Sequence, residues 1–206
     1  MDSAPTSTPF LSIVTRCFKR PQLLERNKES VYAQLDQDWE HIFIVDDIGM
    51  GMEAANKSLA LNAHLINGEY VLILDDDDIL VDNNYVGGLK SIVSRCHPDV
   101  IISKMRWNLG VEKPERKWWR HPPQHGHIGS PCFAVRREVW LAHIESFGTE
   151  RSGDFHFITA IWNAGCTFHW WKQVTAEILQ IGKAMPEIEE VADDTSFQSV
   201  DNRPRD

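Results

Sequence analysis

The chain has 206 residues, of which 42% are hydrophobic and 25% charged, enough for one soluble globular domain and too few for two. A formal net charge of −9 repels a phosphate backbone and argues against extended nucleic-acid binding, whereas a metal and a few local cations suffice to hold one phosphorylated small molecule. No apolar run approaches the ~20 residues that span a bilayer, and Met1 to Pro9 lacks the basic start and apolar core of a secretory signal. The expected setting is cytoplasmic, with Cys17, Cys96, Cys132 and Cys166 as reduced thiols rather than disulfides.

In chain order, residues 10–14 read as a short buried strand. Pro21 suits the first turn of a helix, and Leu24, Val31 and Leu35 fall on one face of it. Trp39 leads into a second strand over 42–45 that stops at Asp46-Asp47. Met52, Ala55, Leu59, Ala63 and Ile66 keep a helical spacing, closed by Asn67-Gly68. Tyr70 to Leu74 is a third strand and runs straight into Asp75-Asp76-Asp77-Asp78. A helix with Val86, Leu89, Val93 and Cys96 inward precedes a fourth strand, 100–102. Continuous apolar strands alternating with helices predict an α/β fold with a mostly parallel sheet and helices on both faces.

The second half is less regular. Residues 103–127 carry three prolines and many charges and read as a long loop or irregular hairpin. A strand over 130–135, helices over 137–145 and 154–164, and a strand over 166–171 follow. The expected organisation is one domain over 1–181, followed by an acidic, mobile tail over 182–206.

The four aspartates carry the chemistry. In open α/β sheets ligands bind beyond the carboxyl ends of strands. Two carboxylates ~4 Å apart repel by roughly 4 kcal/mol at an effective dielectric of 20, and a divalent cation reverses that sign. Mg²⁺ and Mn²⁺ favour oxygen ligands and share their shell with substrate phosphates. Helix capping explains one or two such aspartates rather than four. Asp46 and Asp47 end the neighbouring strand, either as turn formers or as partners of a base or ribose.

Taken together, Ser12 to Leu24, Phe43 to Asp47, Ala54 to Lys57 and Asn67 to Asp78 resemble, in order and spacing, the first half of family 2 glycosyltransferases with the GT-A fold. The resemblance covers residues 10–100 and implies a single GT-A-like (Rossmann-like) domain, with 10–100 binding a nucleotide sugar and 101–181 facing the acceptor. It implies nucleotide contacts from Thr15, Cys17, Phe18, Arg20, Asp46, Asp47, Asn56, Lys57, Asp75 and Asp76, with Phe18 stacking on the base. Asp75 and Asp77 match the Asp-x-Asp metal pair, for Mn²⁺ or Mg²⁺. Ala55 stands where the family has an arginine, leaving Lys57 or Arg16 to meet the diphosphate; Arg16 itself replaces a usual proline.

Beyond residue 100 the similarity thins. His127 to Trp140 is similar to the acceptor-side strand and helix, giving His127, Gly129 and Ser130 an acceptor role, beside Trp118 and Trp119 as a sugar platform. His121, His125 and His127 read as loop histidines of that pocket rather than zinc ligands. For any one of the eight tryptophans core packing is favoured over sugar stacking. Asp154 matches the general base, although Gly153 replaces the glutamate that precedes it in the family. Transfer to a hydroxyl needs such a carboxylate, and one opposite the leaving group inverts the anomeric centre. The expected activity is metal-dependent glycosyl transfer from a UDP-type donor to a hydroxyl acceptor, such as a carbohydrate. The alternatives are a nucleotidyltransferase or phosphohydrolase with the same acidic site, and a non-catalytic nucleotide-sugar-binding module.

Overall fold

The computed structural model describes residues 8–107, 110–148 and 152–179; the predicted tail over 182–206 lies outside them. The elements are β1 (Leu11–Cys17), α1 (Pro21–Tyr32), β2 (Trp39–Val45), α2 (Gly51–Leu61), β3 (Tyr70–Ile73), β4 (Asp78–Leu80), α3 (Tyr85–Cys96), β5 (Val100–Trp107), β6 (Glu112–Lys113), β7 (Phe133–Arg136), α4 (Arg137–His143), α5 (Gly153–Asn163) and β8 (Phe168–Ile178). Pro21 opens α1, where its missing N–H is not needed. α3 ends at His97 in the left-handed region, φ 40°, and Pro98 prevents its continuation.

One sheet runs in the order β2-β1-β3-β7-β5-β8-β4, with β6 paired to β5. The α/β class and the single sheet agree with the sequence pattern. The direction of the strands does not follow it throughout. β1 is parallel to β2 and β3, and β5 to β8, but β3–β7, β5–β7, β4–β8 and β5–β6 are antiparallel. The sheet is therefore mixed. The centre of the sheet is the apolar part: Leu11, Ile13, Val14 and all of β3 are buried, as strands covered on both faces must be.

Residues 103–127 form the irregular hairpin of the two options. β5 extends to Trp107 and turns back through β6. β8 is longer than predicted, running past Trp171 to Ile178. Most of the tryptophans of the second half serve packing. Trp140 is fully buried, and Trp171 stacks on Tyr85 at 5.8 Å and lies against Gly88.

Candidate active site

The carboxyl ends of β1 and β3 open on a cavity of about 290 Å³. Continuing the β1–β3 register two residues beyond Val14↔Ile73 places Arg16 across from Asp75. Their side chains pair at two points, Nε–Oδ1 at 2.7 Å and Nη2–Oδ2 at 2.6 Å. Arg16 Nη1 also donates to Asn56 Oδ1 on α2 at 2.9 Å. Arg16, Asn56, Asp75, Asp77 and Asp78 line the cavity with Asp154, which opens α5. Gly129 and Ser130 complete that wall, and Gly129 is close to Asp154. The two halves of the chain thus meet here, acids from β3–β4 facing the carboxylate of α5.

The acidic run is held by α1. The Asn27 amide donates to the carbonyls of Asp75 at 3.0 Å and Asp78 at 2.9 Å. Asp76 turns inward: its carboxylate accepts the Phe18 N–H at 2.8 Å and pairs with the buried Arg20. Asp77 Oδ2 lies 3.0 Å from Arg20 Nη1 without hydrogen-bond geometry, and is otherwise buried without a hydrogen-bond partner.

These surroundings set the charges. Burial pushes Asp77 up to about 7 against the pull of Arg20, with Asp75 and Asp76 adding to the rise. Burial and the charges of Asp77 and Asp75 hold Asp78 well above the ordinary carboxylate range. Burial also raises Asp154, while the Phe155 N–H and then Arg16 pull it back.

The remaining predicted residues fall into distinct places. Phe18 is half-buried beside Gly49, at the ends of β1 and β2, and Asp46 shapes the same loop by accepting the N–H groups of Ile48, Gly49 and Met50. Asp46 is thus a turn former here, and its neighbour Asp47 is exposed. Thr15 and Cys17 point into the sheet, Thr15 donating to the Leu74 carbonyl at 2.8 Å. Arg20 and Asp76 are buried against each other and away from the cavity wall. Lys57 is exposed and pairs with Glu53 at 2.7 Å. Trp118 packs on His127, and Trp119 meets Trp170 edge-on; none of these four lines the cavity.

Sequence reading missed Met105, Trp107, Phe155 and Ile178, which line the cavity from the second half of the chain; of the three histidines it expected there, His125 lines it. The alternation Ser103, Met105, Trp107 with Lys104 and Arg106 between them is the strand signal that could have found two of them.

The donor set fits a divalent metal. Asp75, Asp77 and Asp78 offer only carboxylate oxygens, and the unbonded Asp77 Oδ2 is a buried acceptor facing too few donors. Among the described residues no three His, Cys, Asp or Glu side chains form a ready cage. Mg²⁺ and Mn²⁺ take one or two carboxylates and complete their shell with phosphate oxygens and water.

No protein-family model matches the chain, and no curated protein matches its sequence. Its fold is the nucleotide-sugar glycosyltransferase fold of the GT-A-like kind, which it shares with solved structures at low identity. The chain is similar to S. aureus TarS (TM-score 0.64, 12% identity, covering 83% of this chain and 37% of TarS). It resembles TarS 1–349 in complex with UDP-GlcNAc at a TM-score of 0.60, with 14% identity over 82% of this chain and 58% of that one. It also resembles the mannosyltransferase PcManGT from Pyrobaculum calidifontis in complex with GDP-Man and Mn²⁺ (TM-score 0.61, 15% identity, 84% of this chain and 57% of that one). The chain therefore spans less than two thirds of each of these three neighbours. No described helix is long and apolar enough to cross a membrane.

Proposed function

We propose that the chain is a metal-dependent glycosyltransferase that moves a sugar from a nucleoside-diphosphate sugar, with uridine as the expected base, to a hydroxyl acceptor with inversion. The observation that carries this reading is the shared cavity of Asp75, Asp77, Arg16 and Asp154 at the carboxyl ends of β1 and β3. Neighbours with this fold were solved with UDP-GlcNAc and with GDP-Man and Mn²⁺.

Asp77 and Asp75 would hold the metal, which when bound supplies positive charge to the departing diphosphate. Asp154 accepts the proton of the acceptor hydroxyl. The acceptor oxygen then bonds to the anomeric carbon from the face opposite the diphosphate, and the bond to the diphosphate oxygen breaks with its electron pair leaving on that oxygen. Phe18 flanks the base, and the Asp46 turn with Gly49 supports its ring. Met105, Trp107 and Phe155 give the acceptor side an apolar wall, which orients an acceptor and limits water around Asp154.

Incubation with UDP-, GDP- and dTDP-sugars plus Mn²⁺ tests the reading. Slow hydrolysis of one donor, dependent on Asp154, is the expected result. Metal-dependent binding with no turnover of any donor would make the chain a binding module instead.

A further inference from the structure

The diphosphate of a donor brings negative charge to a rim already made of carboxylates, so a cation of the protein must meet it. Three candidates stand near the rim in sequence. Lys57 is on the exposed face of α2, paired with Glu53. Arg20 is buried in its contacts with Asp76 and Asp77. Among the described residues Arg16 alone of the arginines and lysines lines the cavity.

Arg16 is at the same time engaged. Its fork covers both oxygens of Asp75, at 2.7 and 2.6 Å, and Asn56 takes its third bond at 2.9 Å. The charge that Asp75 would offer a metal is cancelled by this pair. Asp77 presents the opposite case: its side chain is 5% exposed and its Oδ2 lacks a hydrogen bond. One carboxylate of the pair is therefore bonded at both oxygens by an internal cation, while the other has Arg20 3.0 Å away but no hydrogen bond to its Oδ2.

The guanidinium fork fits phosphate oxygens as well as it fits a carboxylate. We propose that Arg16 is a latch between the two ligands of this site: it pairs with Asp75 in the free protein, and a nucleoside diphosphate draws it off, so that Arg16 clamps the phosphates and Asp75 is released to join Asp77 on the metal. The inference rests on the donor-site reading above. It makes nucleotide and metal bind cooperatively, each raising the affinity of the other by the same factor, through a residue that sits where the resembling family has a proline.

The test is calorimetric titration of Mn²⁺ alone, UDP alone, and UDP in saturating Mn²⁺, on wild type and three variants that retain a wild-type circular dichroism spectrum. Arg16→Gln frees Asp75 and removes the clamp. Mn²⁺ alone should bind about 5–10-fold tighter while UDP in Mn²⁺ binds at least about 10-fold weaker, within the usual span of coupled sites. Asp75→Asn is the mirror case: UDP alone should bind tighter and Mn²⁺ weaker. Arg16→Lys keeps the charge without the fork and should fall between Arg16→Gln and wild type for UDP. A purely structural Arg16 would move both ligands in the same direction, and that result overturns the latch. Wild type binding UDP with Mn²⁺, but with Mn²⁺ affinity unaltered in Arg16→Gln, overturns the latch and leaves the donor site standing. Wild type binding neither ligand sinks the donor-site reading itself.

Discussion

Gly153 lies so close to Asn56 that a Cβ on it would fall 2.6 Å from Asn56 Nδ2, and the same distance from the Phe147 carbonyl oxygen. Asn56 in turn holds Arg16. The bare Cα is what lets α5 begin against α2 and brings Asp154 into the cavity of the Arg16–Asp75 pair. A glutamate before the base, as in the resembling family, has no room here. Gly153→Ala should destabilise the protein by about 1–3 kcal/mol through overpacking, and Gly153→Glu by more. Thermal unfolding checks this; an unchanged melting temperature for Gly153→Ala would show that the start of α5 shifts freely.

Asp154→Asn removes the proposed base and keeps its shape. Donor affinity should stay near normal, the melting temperature should not fall, and transfer should drop by at least about a hundredfold. Glu150, the rival base upstream, lies outside the described residues, so Glu150→Gln is the companion variant. If Asp154→Asn transfers within a few-fold of wild type and Glu150→Gln is inactive, the role moves to Glu150. Burial raises Asp154 above an ordinary aspartate, and a base works only when ionised. The acid limb of kcat/KM should therefore lie above the ~3.9 of a free aspartate, with the rate falling as pH falls through it. A limb at or below that value would count against Asp154.

Phe18 and Lys57 make a contrasting pair. Phe18 is fixed from behind by Asp76 at its N–H and by Gly49 against its ring, with part of the ring left open. Phe18→Ala should weaken UDP binding by about 1–3 kcal/mol, the usual worth of an aromatic–base stack. Lys57 faces Glu53 and solvent, so Lys57→Ala should leave UDP affinity unchanged. Equal losses in both variants would mean that the nucleotide lies over α2 rather than along the end of β1.

The parts of the fold that were legible in sequence are those where one pattern decides. β1 and β3 are unbroken apolar runs, and the acids that follow β3 had to emerge at its carboxyl end. Strand direction left no such mark: the apolar side chains of β7 serve an antiparallel strand as well as a parallel one. β4 escaped because its three residues begin inside the acidic run, and the end of β8 because Lys172 and Gln173 interrupt its apolar stretch. The site was half legible for a related reason. Four consecutive carboxylates announce a dense charge, but the arginines that answer it lie more than fifty residues upstream. Only the β1–β3 register sets Arg16 opposite Asp75, and only the turn after β1 puts Arg20 against Asp76. Trp118 and Trp119 were expected at the site by residue type and His127 by resemblance; in the structure Trp118 packs on His127, and Trp119 packs on Trp170 of β8.

The last prediction concerns acid. His41 on β2 has its Nε2 2.7 Å from Thr15 Oγ1. The Thr15 hydroxyl gives its hydrogen to the Leu74 carbonyl, so its oxygen accepts from His41 and the imidazole carries its proton on Nε2. Nδ1 is then a bare lone pair, and it is buried without a hydrogen-bond partner. Protonating it would create a second N–H with nothing to receive it, near the charge of Lys28. Burial first, and then Lys28, push His41 down to about 4. In the unfolded chain an ordinary histidine titrates near 6.5. The sign follows: above about pH 6.5 both states are neutral and the stability is fully present. Below it the unfolded chain takes up a proton that the fold refuses, and stability declines until the folded imidazole protonates near pH 4. Discounted for the partial exposure of the ring, the loss should be about 1–3 kcal/mol at 1.36 kcal/mol per pH unit. His41→Gln can still donate to Thr15 and does not titrate. Urea unfolding at pH 7.5 and 4.5 should show the stability of wild type falling relative to that of the variant as pH drops. A difference between the two proteins that is the same at both pH values would place the acid sensitivity elsewhere.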